Sequence, residues 1–130
     1  MSAERVKTVN RLITAFARGD VDAALRDIDP AAVFEPQRTA TEGAFIGHEG
    51  MRRFWKDTEE MFDHFHPEYT EVRDLGDSVL AIGTLTVRGR GSGAEVQIPM
   101  AFLAEFRDDR VVRLKDFGEV AAALEAAGLA

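Results

Sequence analysis

Between about Glu68 and Phe117 the chain reads as four strands in a row: Glu68–Leu75, Ser78–Arg88, Ala94–Phe106 and Arg110–Phe117, each β-branched or alternating polar with apolar. Gly76-Asp77, Gly89-Arg90-Gly91-Ser92-Gly93 and Asp108-Asp109 separate them. A period of two sends successive side chains to opposite faces, and connections this short join antiparallel neighbours, because a parallel pair needs a crossover of a dozen residues or more. The second half of the chain is therefore predicted to be an antiparallel meander with one face in need of cover.

The first half supplies the cover. Val6, Val9, Ile13, Phe16 and Ala17 recur at helical spacing up to Arg18, and Gly19 is placed to end that helix. Asp20 caps a shorter predicted helix through Val21, Ala24, Leu25 and Ile28, which Asp29-Pro30 closes. Ala32–Pro36 reads as a short strand, and Gln37–Gly47 as a long loop. A third helix is predicted over about His48–Asp63, with Met51, Phe54, Trp55, Thr58 and Phe62 on one stripe. An alanine-rich stretch, Glu119–Ala127, reads as a last helix ended by Gly128. Helices first and a meander afterwards, without βαβ alternation, define an α+β domain: a curved antiparallel sheet with helices packed on its concave face.

At 130 residues one domain is expected. A net charge of -7 without a local run of Lys or Arg argues against nucleic acid as a partner. The absence of cysteine removes disulfides, thiolate metal sites and cysteine nucleophiles. Met1–Arg5 runs straight into an amphipathic pattern, so neither a signal peptide nor a membrane span is expected, and the expected location is cytoplasmic.

The even positions Val96, Ile98, Met100, Phe102, Ala104 and Phe106 are all apolar and mark the core face of their strand. The face of the next strand depends on the Asp108-Asp109 turn, since a slip of one residue flips every side chain. Pairing Arg107 with Arg110 would set Arg113 and Lys115 beside the aromatic core. Pairing Phe106 with Arg110 across a three-residue loop, with Asp109 left-handed, instead brings Val112, Leu114 and Asp116 beside Ala104, Phe102 and Met100. The second register is the cheaper one. It leaves one carboxyl, Asp116, on an apolar concave face, where desolvation would raise its pKa as a general acid or base requires. The bland alternative is an aspartate paired with an arginine or capping the last helix.

Other constellations carry less. His64-Phe65-His66 would share a face with Glu68 if extended, but Pro67 interrupts the run and no further His or Cys is near, so no metal is expected. His48-Glu49 lacks the second histidine of a zinc helix and suits a helix start. Gly89–Gly93 precedes a strand rather than a helix and reads as a hairpin loop, not a phosphate loop. Ser2, Ser78 and Ser92 lie in no nucleophile elbow.

Phe16–Asp20 (FARGD), Gly47–Phe54 (GHEGMRRF), Ser92-Gly93, the Arg107–Val111 turn and Ala123–Leu129 (ALEAAGL) together resemble the SnoaL-like polyketide cyclase family of the nuclear transport factor 2 superfamily. The resemblance implies a cone-shaped α+β barrel around a deep pocket, paired as a homodimer through the outer face of the sheet. It also implies cofactor-independent acid/base chemistry in several members, while many others only bind. In the cyclases an aspartate on the last strand acts as acid/base, and Asp116 matches it; their histidine on the neighbouring strand is replaced here by Phe102. The only tyrosine, Tyr69, sits in a mostly polar strand and is not assigned to the pocket.

These readings lead to a pocket for a small, largely apolar carbonyl compound. Asp116 is its acid/base, Phe102, Met100 and Trp55 are its walls, and Glu35 and Arg38 stand at its rim. The reaction would be of cyclase, isomerase or lyase type, without cofactor or metal. The rival is a non-catalytic module of the same fold that binds a hydrophobic ligand or serves as a dimeric interaction domain.

Overall fold

A computed structural model describes residues 2–36 and 44–128. Along the chain run α1 (Ser2–Ala17), α2 (Val21–Leu25), β1 (Ile28–Glu35), β2 (Phe45–Ile46) and α3 (Gly47–Met61). They are followed by β3 (Phe62–Asp74), β4 (Ser78–Gly89), β5 (Glu95–Arg107), β6 (Arg110–Phe117) and α4 (Val120–Ala126). The strands form one sheet in the order β2-β1-β6-β5-β4-β3. Its meander, β3 to β6, is antiparallel throughout. β1, however, lies parallel to β6, which the long path through α3 and four intervening strands permits.

Local chemistry sets the boundaries. Gly19 takes φ 72° after α1, and the Asp20 carboxylate accepts from the Ala23 N–H at 3.1 Å to cap α2. α2 stops at Leu25, short of the Ile28 that the spacing predicts, because Ile28 is already in β1 opposite Val111. Pro30 is tolerated there since the β1–β6 ladder is interrupted between Ile28 and Val33. β3 begins at Phe62, directly after α3, rather than at Glu68, so the His64–His66 stretch is strand. At the start of α3, Gly47 has φ 68° and packs where a Cβ would stand 2.6 Å from the Pro30 carbonyl oxygen. The His48 imidazole does not cap α3 but bonds through Nε2 to the Ile28 carbonyl at 2.7 Å, tying the helix to β1.

The main core lies on the concave face. Val9 and Leu12 of α1 and Met51 of α3 pack there on Ala81, Phe102 and Leu114 of the sheet. α4 departs from the expected arrangement by covering the opposite face, where Ala123 meets Leu80 and Ala101. Its alanines suit the close approach to that shallow apolar strip.

Arg5 fastens α1 to the two turns at one end of the sheet. Its guanidinium donates to the Gly76 carbonyl at 2.8 Å and to the Asp108 carbonyl at 3.0 Å, and lies 5.5 Å from the Phe106 ring centroid. Arg5→Met keeps the stem and removes both bonds. It is expected to lower stability by about 2 kcal/mol, read as a lower urea midpoint with an unchanged slope.

Candidate active site

The β5–β6 turn decides which way Asp116 faces. Arg107 pairs with Arg110 across a two-residue turn, with Asp108 rather than Asp109 left-handed at φ 57°. The next pairs are Phe106 with Val111 and Glu105 with Arg113, so Val112 is an extra residue in β6. That bulge resets the alternation: Val111 and Leu114 are buried, and Asp116 stands directly opposite Phe102. Asp116 thus joins the concave face by a tight turn plus a bulge, not by the three-residue loop that the sequence reading favours. Either route keeps Arg113 and Lys115 off that face.

β4 contributes room. Its inward positions opposite Phe102 and Met100 are Ala81 and Gly83, small enough for side chains of β3 to reach over them. Tyr69, paired with Gly83, does so and meets Phe102 edge-on at 5.3 Å between ring centroids. A bulge at Thr70 curls β3 at this point, between the Tyr69–Gly83 and Glu71–Ile82 pairs.

Between the helices and the sheet lies a two-lobed cavity. The inner lobe, about 70 Å³, is lined by Leu12, Phe16, Met51, Trp55, Tyr69 and Phe102 among others. Pro36, Phe62, Leu85, Val87 and Ile98 line the outer lobe, about 160 Å³. Phe54, Phe65, Met100 and Asp116 belong to both. Edge-on ring contacts brace the walls: Phe34 with Phe54 at 4.7 Å and Trp55 with Phe65 at 6.0 Å.

Asp116 is densely surrounded by protein but stays partly accessible, because the cavity opens onto it. Among the described residues no hydrogen bond or ion pair reaches its carboxylate, and α4 begins at Val120 without a side-chain cap. Burial therefore acts unopposed and pushes the carboxyl up to about 7. The Tyr69 phenol is raised too, first by its own burial and then by the negative charge of Asp116, so it stays a neutral hydrogen-bond donor at any ordinary pH.

Trp55, Met100 and Phe102 stand around the same cavity as Asp116. Glu35 does not: it lies beside Lys115 on the outer face, where it accepts from the Arg113 guanidinium at 2.6 Å. That bond holds its carboxyl below the usual range despite the opposing effect of burial. Since its neighbour Phe34 points inward, β alternation sends Glu35 out. Arg38 lies outside the described residues. His64 and His66 stack 6.1 Å apart, and among the described residues no cluster of three His, Cys, Asp or Glu could hold a metal. Tyr69 is the site residue that the sequence reading missed. The signal was Phe65-x-Pro67-x-Tyr69, three bulky groups alternating with His66, Glu68 and Thr70.

Helices on the concave face of a curved sheet give the chain an NTF2-like fold, the fold of a solved protein from Burkholderia pseudomallei that is 18% identical with a TM-score of 0.81, covering 94% of this chain and 95% of its own. Within that fold, the chain belongs to the SnoaL-like domain family, whose model matches residues 9–114. No curated protein matches the chain. Among solved structures, TerC, co-crystallized with polyporic acid, is 18% identical with a TM-score of 0.81, covering 96% of this chain and 98% of its own. A protein from Jannaschia sp. assigned as a SnoaL-like polyketide cyclase is 22% identical with a TM-score of 0.79, covering 99% and 94%. A ketosteroid isomerase-like fold from Catenulispora acidiphila, in complex with trimethylamine, is 18% identical with a TM-score of 0.76, covering 95% and 93%. At these identities the likeness establishes the fold.

Proposed function

We propose that the chain is a cofactor-independent acid/base enzyme, of cyclase, isomerase or lyase type, acting on a small hydrophobic carbonyl compound. The observation that carries this reading is Asp116: a carboxyl on an apolar cavity wall, without a partner among the described residues, poised near neutral pH. Such a group is ionised often enough to take a proton and protonated often enough to return it. As Asp116 removes the proton beside the carbonyl, the C–H electron pair forms the new C=C bond and the carbonyl oxygen gains the charge. The Tyr69 hydroxyl donates a hydrogen bond to that oxygen, and the protonated Asp116 then delivers the proton to a different carbon or back to the first. TerC, with the same fold, having been co-crystallized with polyporic acid supports a small-molecule site.

The test is α-proton exchange of cyclohexanone in D₂O, followed by NMR. Wild type is expected to accelerate exchange with a rate that rises through about pH 7, and Asp116→Asn to lose about 10²–10⁴-fold. Tyr69→Phe is expected to lower kcat by about 10²-fold with KM little changed, since the donor acts on charge that develops during the reaction. Binding of the ketone without any exchange would instead establish the second reading, a ligand-binding module. Phe102 favours that reading, because it stands opposite Asp116 where a second proton carrier would complete a pair.

A further inference from the structure

We infer that the cavity selects an uncharged, single-ring carbonyl compound and excludes fused-ring substrates; the inference takes the carbonyl from the function proposed above and derives size and charge independently. Apolar cavities of roughly 150 Å³ hold one benzene ring, whereas sites for drug-sized ligands run to about 300–1,000 Å³. The outer lobe, about 160 Å³, has room for one ring. The inner lobe, about 70 Å³, has room for a substituent such as an oxygen. Phe54, Phe65 and Met100 stand where the lobes meet, with Asp116 beside them, so a ring in the outer lobe directs its substituent toward Tyr69 and Asp116. The ring-on-ring contacts of Phe54 and Trp55 leave little slack: widening the junction means displacing Phe34 or Phe65 as well.

Charge is fixed by the same lining. Among the described residues no Lys, Arg or His borders either lobe. Within that described lining an anionic ligand meets only the like charge of Asp116, and a cationic one meets an apolar wall with a carboxyl that burial already biases toward its neutral form.

Trp55 is the only tryptophan and lines the inner lobe, so its fluorescence reports occupancy without any need for turnover. The experiment titrates the whole chain with cyclohexanone, 2-decalone and 5α-androstan-3-one, saturated ketones of one, two and four rings. Cyclohexanone is expected to give a saturable change, 2-decalone to bind at least tenfold more weakly, and the four-ring ketone to give none within its solubility. Hydrophobicity alone ranks them in the opposite order. Phe65→Ala, which opens the junction, is expected to shift the preference toward 2-decalone by at least tenfold. A four-ring ketone that binds as tightly as cyclohexanone, or a cavity that takes none of the three, overturns the inference. The two readings fail separately. Ring-ranked binding without α-proton exchange removes the enzyme and leaves the size rule, while Asp116-dependent exchange of the four-ring ketone does the reverse.

Discussion

Asp116→Asn is expected to make the folded chain more stable at pH 8, by up to about 4 kcal/mol, while slowing proton exchange by about 10²–10⁴-fold. The figure follows from a carboxyl held at about 7 in the fold against about 3.9 when unfolded, at about 1.4 kcal/mol per unit. The sign follows from proton counting. Between those values the folded chain keeps the Asp116 proton and the unfolded chain does not, so stability falls as pH rises from about 4 to about 7 and levels off above. Asparagine has no charge to desolvate and removes that slope, although its own buried amide lessens the gain. Urea unfolding of both proteins at pH 5 and pH 8 measures it: the variant's advantage should grow severalfold between the two. An advantage independent of pH, or a loss at pH 8, would mean that the carboxylate is stabilised in the fold. The Glu35–Arg113 pair has the opposite dependence, its contribution being lost as pH falls through the depressed Glu35 value, but it is common to both proteins and cancels.

Gly83→Ala is expected to be the most damaging single-methyl addition in the sheet. A Cβ at Gly83 would stand 2.1 Å from the Glu68 carbonyl oxygen and 2.7 Å from the Tyr69 Cα. Both are backbone atoms, which cannot swing aside as a side-chain tip would, so β3 itself must retreat. A loss of about 3 kcal/mol is expected, at the upper end for overpacking. The retreat also draws Tyr69 off Phe102, so the Trp55 response to cyclohexanone should weaken even where the variant is folded. Gly89→Ala is the matched control: the nearest atom to its Cβ is the Ser92 hydroxyl at 3.5 Å, an ordinary contact, and a change within about 0.5 kcal/mol is expected. Equal effects at the two glycines would contradict the packing argument.

The meander was readable because its pattern is local. β6 runs from Arg110 to Phe117 as the alternation predicts, and the inward turn of Asp116 follows from keeping Arg113 and Lys115 in water. How the backbone achieves that is not local. A three-residue loop and a two-residue turn with a bulge give the same parity, and hydrophobic pattern alone does not separate them. Tyr69 was hidden for a related reason: the bulge at Thr70 interrupts period two, and the polar residues between the bulky ones make the strand look solvated. Glu35 closes a strand whose legible part is only Ala32–Pro36, and alternation over so few residues does not say whether Phe34 or Glu35 faces inward; the full β1, Ile28–Glu35, does. The parallel β1–β6 pairing joins residues far apart in sequence, and no turn announces it.

The bulge at Val112 also separates two things that a plain hairpin would bind together. In an unbroken ladder, the length of the β5–β6 connection alone would decide whether residue 116 faces the cavity or the solvent. Here the extra residue stands between the connection and the site, so a one-residue change in the connection can be balanced by losing or shifting the bulge. The alignment of the proton carrier is thereby insulated from the exposed tip of the molecule, the part of a hairpin most open to insertion and deletion. Relatives with connections of different lengths can keep the same residue inward, and a grafted loop need not disturb the interior.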